Sequence, residues 1–357
     1  MTTVDVRQFR EVELAFAEHG FDIGSVTVAR GDSVLHHTRL WPDGGQSLWE
    51  IDGTALGVPE VVQGAIAPGG LERNGAERTI RIGGPNRLFG AEPTVAGQWA
   101  SGTGARIMRR QLLAHPARTY VTEVGREVYG AAAGASVAGH TLQGLADSLA
   151  DDRGEGYRFR VGEPGRFGWI LDWAWHGRYL AAPPVVVRLE EGYNCEVSGL
   201  AYGGAVAVAD LVTAAAGFGG PDGLVSAIMR APAGRVVGRN AALDQVLTMP
   251  VARGYLGQGT IANRPEAPDK AAVEAAMRAA LQRGMIQRAA VELRITRRSS
   301  LLWGVMPRDV VLVWLTTDDT GYFDQSLAYV RTTSYQLRDG GGEMKLSADL
   351  FALAPEA

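Results

Sequence analysis

Over the first hundred positions, apolar and polar residues mostly take turns. In "EVELAF", Val12, Leu14 and Phe16 fall on one side and Glu11, Glu13 and Ala15 on the other, the period of two expected of a half-buried strand. "GSVTVARGDSVLHHTRLW" repeats the alternation on either side of a Gly-Asp turn. "SLWEIDG" and "RTIRIGG" repeat it again, with Ile80 and Ile82 inward, Thr79 and Arg81 outward, and a glycine closing each. Strands separated by turns every ten or so residues predict an antiparallel barrel or sandwich.

Near residue 100 the period changes. "GTGARIMRRQLLAHPA" sets Ala105, Met108 and Leu112 at helical spacing with Arg109 and Arg110 outside, and Pro116 ends the run, so a helix is predicted near 103–115. "TLQGLADSLADDRG" predicts a second near 141–153. There Thr141 caps the start, Leu142, Leu145 and Leu149 line one face, and Gly154 supplies the left-handed stop. "YRFRV" then returns to strand alternation, with Tyr157, Phe159 and Val161 on one face. Directly after it, "GWILDWAWHGRYL" holds Trp169, Trp173 and Trp175. In a strand these share a face with Leu171, while Ile170, Asp172, Ala174 and His176 share the other.

"PPVVVRLEEGYNCEVSGLAYGG" predicts two strands around a turn at Gly192. From 205 to 266 glycine, alanine and proline dominate and periodicity blurs, so loops and short elements are expected. "DKAAVEAAMRAALQRGM" predicts a helix near 269–284, with Val273, Met277, Ala280 and Leu281 as its apolar face, Asp269 at its start and Gly284 at its close. "AAVELRI", "RDVVLVWL", "AYVRTTSYQLRD" and "EMKLSADLF" finish the chain as strands, the last two joined through "GGG". No repeat of fixed period interrupts this order. The fold class is α+β and strand-rich. The expected parts are a β-barrel-like domain over 1–96, an α/β domain over 97–204, a loop-rich region with one helix over 205–284, and a C-terminal β domain over 285–357.

Composition narrows the function. A hydrophobic fraction of 46% over 357 residues supports sizeable cores. No apolar run reaches the roughly 20 residues of a membrane span, and "MTTVDVRQFREVELAF" does not read as a secretory signal. Lys+Arg 35 against Asp+Glu 39, a net charge of −4, argues against a chain built to grip phosphate backbones. Only Lys270 and Lys345 are lysines; with so much alanine and glycine, this points to a GC-rich genome. Cys195 is the single cysteine, which excludes an intrachain disulfide and a thiolate metal cluster and favours a small buried residue over the alternative of a nucleophile.

Motifs for chemistry are missing. Neither lysine sits in a phosphate-binding loop, and "SGTGARIM" offers Gly102 and Gly104 ahead of a helix but lacks a third glycine. "GASVAG" around Ser136 is one residue too long for a nucleophile elbow. No two of His19, His36, His37, His115, His140 and His176 have the spacing of a zinc-binding helix. Asp32 and Asp172 precede His36 and His176 by four positions, but on strands four residues span roughly 13 Å. His36 and His37 point to opposite faces. The acidic pairs Asp151–Asp152, Glu190–Glu191 and Asp318–Asp319 could each supply a glycosidase carboxylate, yet they stand where solvated turns fall. Arg30–Gly31–Asp32 reads as a hairpin turn. A one-sided Trp row could stack sugars or bases; the Leu171 in that row and the polar opposite face favour packing. No catalytic residue, cofactor or metal is therefore expected.

Several segments together resemble the baseplate-hub or tail-tip hub proteins of phage tails, a family shared with contractile injection systems and gene transfer agents. "LWEIDGTALGVPEVVQGAI" and "RTIRIGGPNRLFG" resemble its early strands. "TLQGLADSLADDRGEGYRFRV" resembles its Leu-rich helix followed by an aromatic-Arg-aromatic strand. "MPRDVVLVWL" resembles its late Pro-Gly-Asp turn, with Arg308 in place of glycine, and "YVRTTSYQLRDGGGEMKLSADL" its closing hairpin. The likeness covers most of the chain but not 205–266. It implies tandem antiparallel β-barrel-like tube domains, near 1–96 and 285–357, with an inserted α/β domain. It also implies a homotrimer in the virion tail tip, synthesised in the bacterial host cytoplasm. Such a trimer joins the distal tail ring protein to a tip or spike protein, around a passage for DNA and the tape-measure protein. Such hubs are not enzymes, and the end at "LFALAPEA" leaves no appended enzyme expected. The alternatives are a carbohydrate-binding adhesion module and a tail-associated hydrolase.

Overall fold

In a computed structural model, the described residues are 9–18, 22–32, 35, 48–83, 99–115, 121–124, 133–137, 139–153, 155–175, 185–203, 212–219, 225–230, 236–240, 245–249, 258–264, 286–319, 321, 323–338 and 341–353. The N-terminal alternation becomes β1 (Phe9–Ala17), β2 (Ile23–Ala29), β3 (Leu48–Asp52), β4 (Val61–Asn74) and β5 (Glu77–Gly83). Val12, Leu14 and Phe16 of β1 and Ile80 and Ile82 of β5 are buried, as the period of two requires. The Arg30–Gly31 step is a turn leaving β2, closed by Asp32 N donating to Ala29 O at 3.1 Å.

The next segment supplies β6 (Trp99–Gly102), α1 (Gly104–Ala114), β7 (Val121–Val124), β8 (Ala133–Ser136), α2 (Leu142–Arg153), β9 (Glu155–Glu163) and β10 (Arg166–Trp175). Both helices begin on threonines whose hydroxyls accept a backbone N–H: Thr103 from Arg106 at 3.3 Å, Thr141 from Gly144 at 3.0 Å. Ala105, Met108 and Leu112 of α1 and Leu142, Leu145 and Leu149 of α2 face one core with Tyr157, Phe159, Trp169, Leu171 and Trp173.

The chain continues through β11 (Val185–Glu190) and β12 (Cys195–Gly203), which turn at Gly192 with φ 79°. Within 205–266, where loops and short elements are expected, the described residues form the short strands β13 (Val212–Gly219), β14 (Val225–Arg230), β15 (Val236–Asn240), β16 (Gln245–Met249) and β17 (Gln258–Arg264). These pair as a three-stranded sheet, β14-β13-β17, and a β15-β16 hairpin. Runs such as "VTAAAGFG" carry too little contrast between faces to show a period of two, yet their backbone groups still pair across the ladder. The helix expected near 269–284 lies outside the described residues. β18 (Ile286–Ile295), the short α3 (Ser300–Trp303), β19 (Val310–Trp314), β20 (Gln325–Arg338) and β21 (Gly341–Leu353) complete the order.

Among the described residues, one sheet of eleven strands runs β12-β18-β21-β20-β1-β2-β5-β4-β3, with β19 branching from β20 and β11 beyond it. A bulge between Val330 and Thr332 lets β20 serve β19 with its first half and β1 with its second. From Glu11↔Arg338 to Ala17↔Thr332, β1 and β20 join the two ends of the chain. Leu14, Phe16 and Ile82 accordingly share a core with Val311, Val330, Leu337 and Leu346. β11 and β12 fall inside the 97–204 segment expected to be an α/β domain, yet they pair with β19 and β18. Buried Val187, Leu189 and Cys195 draw them into the same core.

Ahead of β19, Arg308 has φ 81°, a left-handed value that favours glycine. This is the position at which the phage-hub likeness puts glycine. Asp309 braces the turn by accepting Met306 N–H at 2.8 Å, and Arg308 Nη1 donates to Asp172 O of β10 at 3.1 Å. Arg308→Ala keeps the strained backbone and loses that bond; Arg308→Gly loses the bond but relieves the strain. The glycine variant is therefore expected to exceed the alanine variant in stability by about 1 kcal/mol. Urea melts of the two that coincide would show that the turn stores no strain.

Candidate functional site

Trp169 and Trp173 of "GWILDWAW" pack. Trp169 and Trp173 lie beneath α1 and α2, with Trp173 stacked on Tyr157 at 5.4 Å between ring centres and 11° between planes. Trp175 ends β10, and its side chain lies outside the described residues. Cys195 is buried, and loss of water contact first, then Glu191, Glu190 and Glu196, pushes its thiol up to about 12, which makes it inert as a nucleophile at neutral pH.

Two acidic pairs have structural employment. Glu191 Oε2 accepts from Thr316 N (2.7 Å), Thr316 Oγ1 (2.9 Å), Thr317 N (3.1 Å) and Thr317 Oγ1 (3.2 Å), pinning the β19–β20 loop to the β11–β12 turn. Glu190 pairs with Arg188 at 3.1 Å. Asp318 accepts from Phe323 N–H and from Tyr202 O–H, the latter at 2.6 Å, while Asp319 is exposed. The side chains of Asp151, Asp152 and Glu155 lie outside the described residues, as do His19, His36, His37 and His176. His115 and His140 sit at the end of α1 and just before α2. Gly102 and Gly104 form the entry to α1, and Ser136 ends β8. The described residues bring no three His, Cys, Asp or Glu side chains into a group that could hold a metal.

What the geometry does assemble is a polar seam. The β9–β10 hairpin has two faces. Tyr157, Phe159, Trp169, Leu171 and Trp173 enter the helical core, whereas Gly156, Arg158, Gly168 and Asp172 lie on the opposite face, toward the large sheet. Arg158 is the centre. Its Nη1 and Nη2 donate to both Glu60 oxygens at 3.2 and 2.8 Å, Nη2 also reaches Asp22 Oδ2 at 3.3 Å, and its guanidinium lies 5.2 Å from the centre of the Phe16 ring. At the hairpin tip, buried Gln63 of β4 donates to Arg166 O at 3.0 Å and accepts Gly168 N–H at 3.1 Å. Beside it, Glu50 of β3 accepts Gly165 N–H at 2.9 Å. At the base, a methyl group on Gly156 would stand 2.5 Å from Glu18 Oε1 and 3.1 Å from the Tyr329 hydroxyl, so only glycine fits this approach.

The electrostatics of the seam are unusual. Burial, against the pull of Arg158 and with the push of Glu60, raises the Asp22 carboxyl to about 7. Burial also raises Asp309, opposed by the Met306 N–H bond and by Arg158 and Arg308 nearby. Asp22 Oδ1 and Arg158 Nε have no hydrogen-bond partner among the described residues. In "YRFRV" the local pattern marks Tyr157, Phe159 and Val161 as one face and gives no role to Arg158 between them. An arginine at an outward strand position carries no local sign that another unit will cover it.

No protein-family model matches the chain, and no curated protein matches it by sequence. Solved structures do match. A tail protein from Neisseria meningitidis MC58 superposes with a TM-score of 0.54 at 12% identity, covering 96% of this chain and 92% of that one. Prophage tail protein gp18 from Listeria monocytogenes EGD-e gives 0.52 at 11%, covering 97% and 90%. The E. coli c3393 protein, a type VI secretion component with structural similarity to bacteriophage tail proteins, gives 0.50 at 11%, covering 98% and 74%. Identity this low speaks for architecture alone. The chain is built on the strand-rich fold of these tail proteins.

Proposed function

We propose that this chain is a structural hub of a phage tail tip or baseplate. In this reading a homotrimer continues the tail tube, joins the distal tail ring to a tip or spike protein, and surrounds a passage for DNA and the tape-measure protein. The observation that carries it is end-to-end superposition on tail proteins, 96% of this chain on 92% of one of them. The sheet supports it: β3 and β12 terminate the path with a ladder on one side only among the described residues, and such edges are closed by neighbouring copies in rings. The polar face of the sheet supports it as well. There Arg338 and Gln336 bond Glu11, and Arg294 pairs with Glu196, a balance of signs that would not hold a sliding polyanion. Function then resides in surface shape rather than in catalysis.

Sedimentation velocity at tens of micromolar, with negative-stain images, is expected to show trimeric rings. A monomer that stays monomeric with the distal ring protein present overturns the hub. An adhesion module would need an accessible Trp platform, and Trp169 and Trp173 are buried. Turnover of peptidoglycan lost on Asp151→Asn would promote the hydrolase.

A further inference from the structure

We propose that residues 99–175 form a module that docks on the large sheet through a releasable polar latch, with Arg158 as its bolt. Three observations carry this. First, each side owns its core: none of the described buried hydrophobic clusters mixes residues of 99–175 with those of the sheet. Second, hydrogen bonds and ion pairs bridge the seam among the described residues. They include Arg158 to Asp22 and Glu60, Arg308 to Asp172 O, Gln63 to Arg166 O and Gly168 N, and Glu50 to Gly165 N. Third, the bolt is imperfectly seated, with Asp22 Oδ1 and Arg158 Nε both buried and lacking a hydrogen-bond partner among the described residues.

A buried ion pair gains attraction and loses hydration in nearly equal measure. A seam made of such pairs leaves docked and separated states close in free energy, while each core holds its own unit folded. An interface without a large apolar area is the ordinary condition for domain motion. The latch responds to two inputs. Glu60 is 28% exposed at its rim, where an incoming cationic group can compete for it. Asp22 is the proton-sensitive member, faced by Arg158 of β9, by Glu60 ahead of β4, and through Arg158 by Asp309 and Arg308 ahead of β19. A carboxyl raised by docking strengthens docking while protonated. Its contribution is full below the ordinary value of 3.8 and is lost as pH rises through about 7. The latch therefore loosens toward alkaline pH. The latch is independent of whether the chain trimerises.

The test uses the full chain with spin labels on cysteines placed at Leu71 of β4 and Leu113 of α1, both exposed; buried Cys195 stays in place. Pulsed dipolar spectroscopy is expected to show one dominant distance in the parent. Arg158→Met should raise a second, longer population by about tenfold or more, the order expected when one partner of a buried pair is removed. Raising pH from about 5 to about 8.5 should raise the same population in the parent and not in Asp22→Asn. Should Arg158→Met fail to fold, Glu60→Gln, at the rim, is read the same way. A single unchanged distance in the folded variant overturns the module, and so does a melt in which both units are lost together. A pH response that survives Asp22→Asn removes Asp22 from the latch and overturns that assignment.

Discussion

Trp173→Ala is expected to be the most damaging single change outside the large sheet, costing about 3–5 kcal/mol. Trp173 is 3% exposed and stacks on Tyr157, which stands edge-on to Phe159 at 6.0 Å and donates its hydroxyl to Asp147 of α2 at 2.6 Å. Removing the indole opens a cavity between strands and helices that short side chains cannot refill, and it frees a ring that positions a buried hydroxyl. For a unit of this size the melting temperature should fall by about 15 °C or more. Calorimetry of the full chain measures this, and the loss should fall on the transition of the α/β unit. A variant that keeps its melting temperature yet no longer binds a glycan or a cell surface would reverse the packing reading.

Glu18→Ala should cost about 3 kcal/mol by a different mechanism. Glu18 follows β1, is buried, and accepts from the Tyr329 hydroxyl and from Arg331 Nη1 at 2.6 Å; its own N–H donates to Arg331 O at 2.8 Å. It locks the N-terminal strands onto β20. Alanine leaves the Tyr329 hydroxyl without this acceptor, whereas Arg331, about a third exposed, keeps Asp349 at 3.4 Å and loses less. Glu18→Gln retains an acceptor for Tyr329 and should recover part of the loss. Urea unfolding followed by far-ultraviolet circular dichroism of the strand-rich chain reads it. A cost below about 1 kcal/mol for Glu18→Ala would mean that pairing of β1 with β20 needs no side-chain lock.

The sequence by itself determined the elements whose burial is periodic. Val12, Leu14 and Phe16 could only make a one-sided strand, and Leu142, Leu145 and Leu149 only a one-sided helix, because side-chain direction follows backbone geometry within a few residues. The packing role of Trp169 and Trp173 was legible for the same reason, from Leu171 in their row and polar residues opposite. The glycine-like conformation at Arg308 was legible only through the phage-hub likeness. Strands β13 to β17 escaped notice because alanine and glycine give the two faces of a strand no contrast. Tertiary structure alone decided the pairing of β1 with β20 and the recruitment of β11 and β12 to the large sheet. It alone also made Arg158 a buried bolt. That arginine meets Glu60 and Asp22 across 98 and 136 residues of chain. Local pattern fixes which way a side chain points, but only the docking of a distant segment decides whether it points at water or at a buried carboxylate.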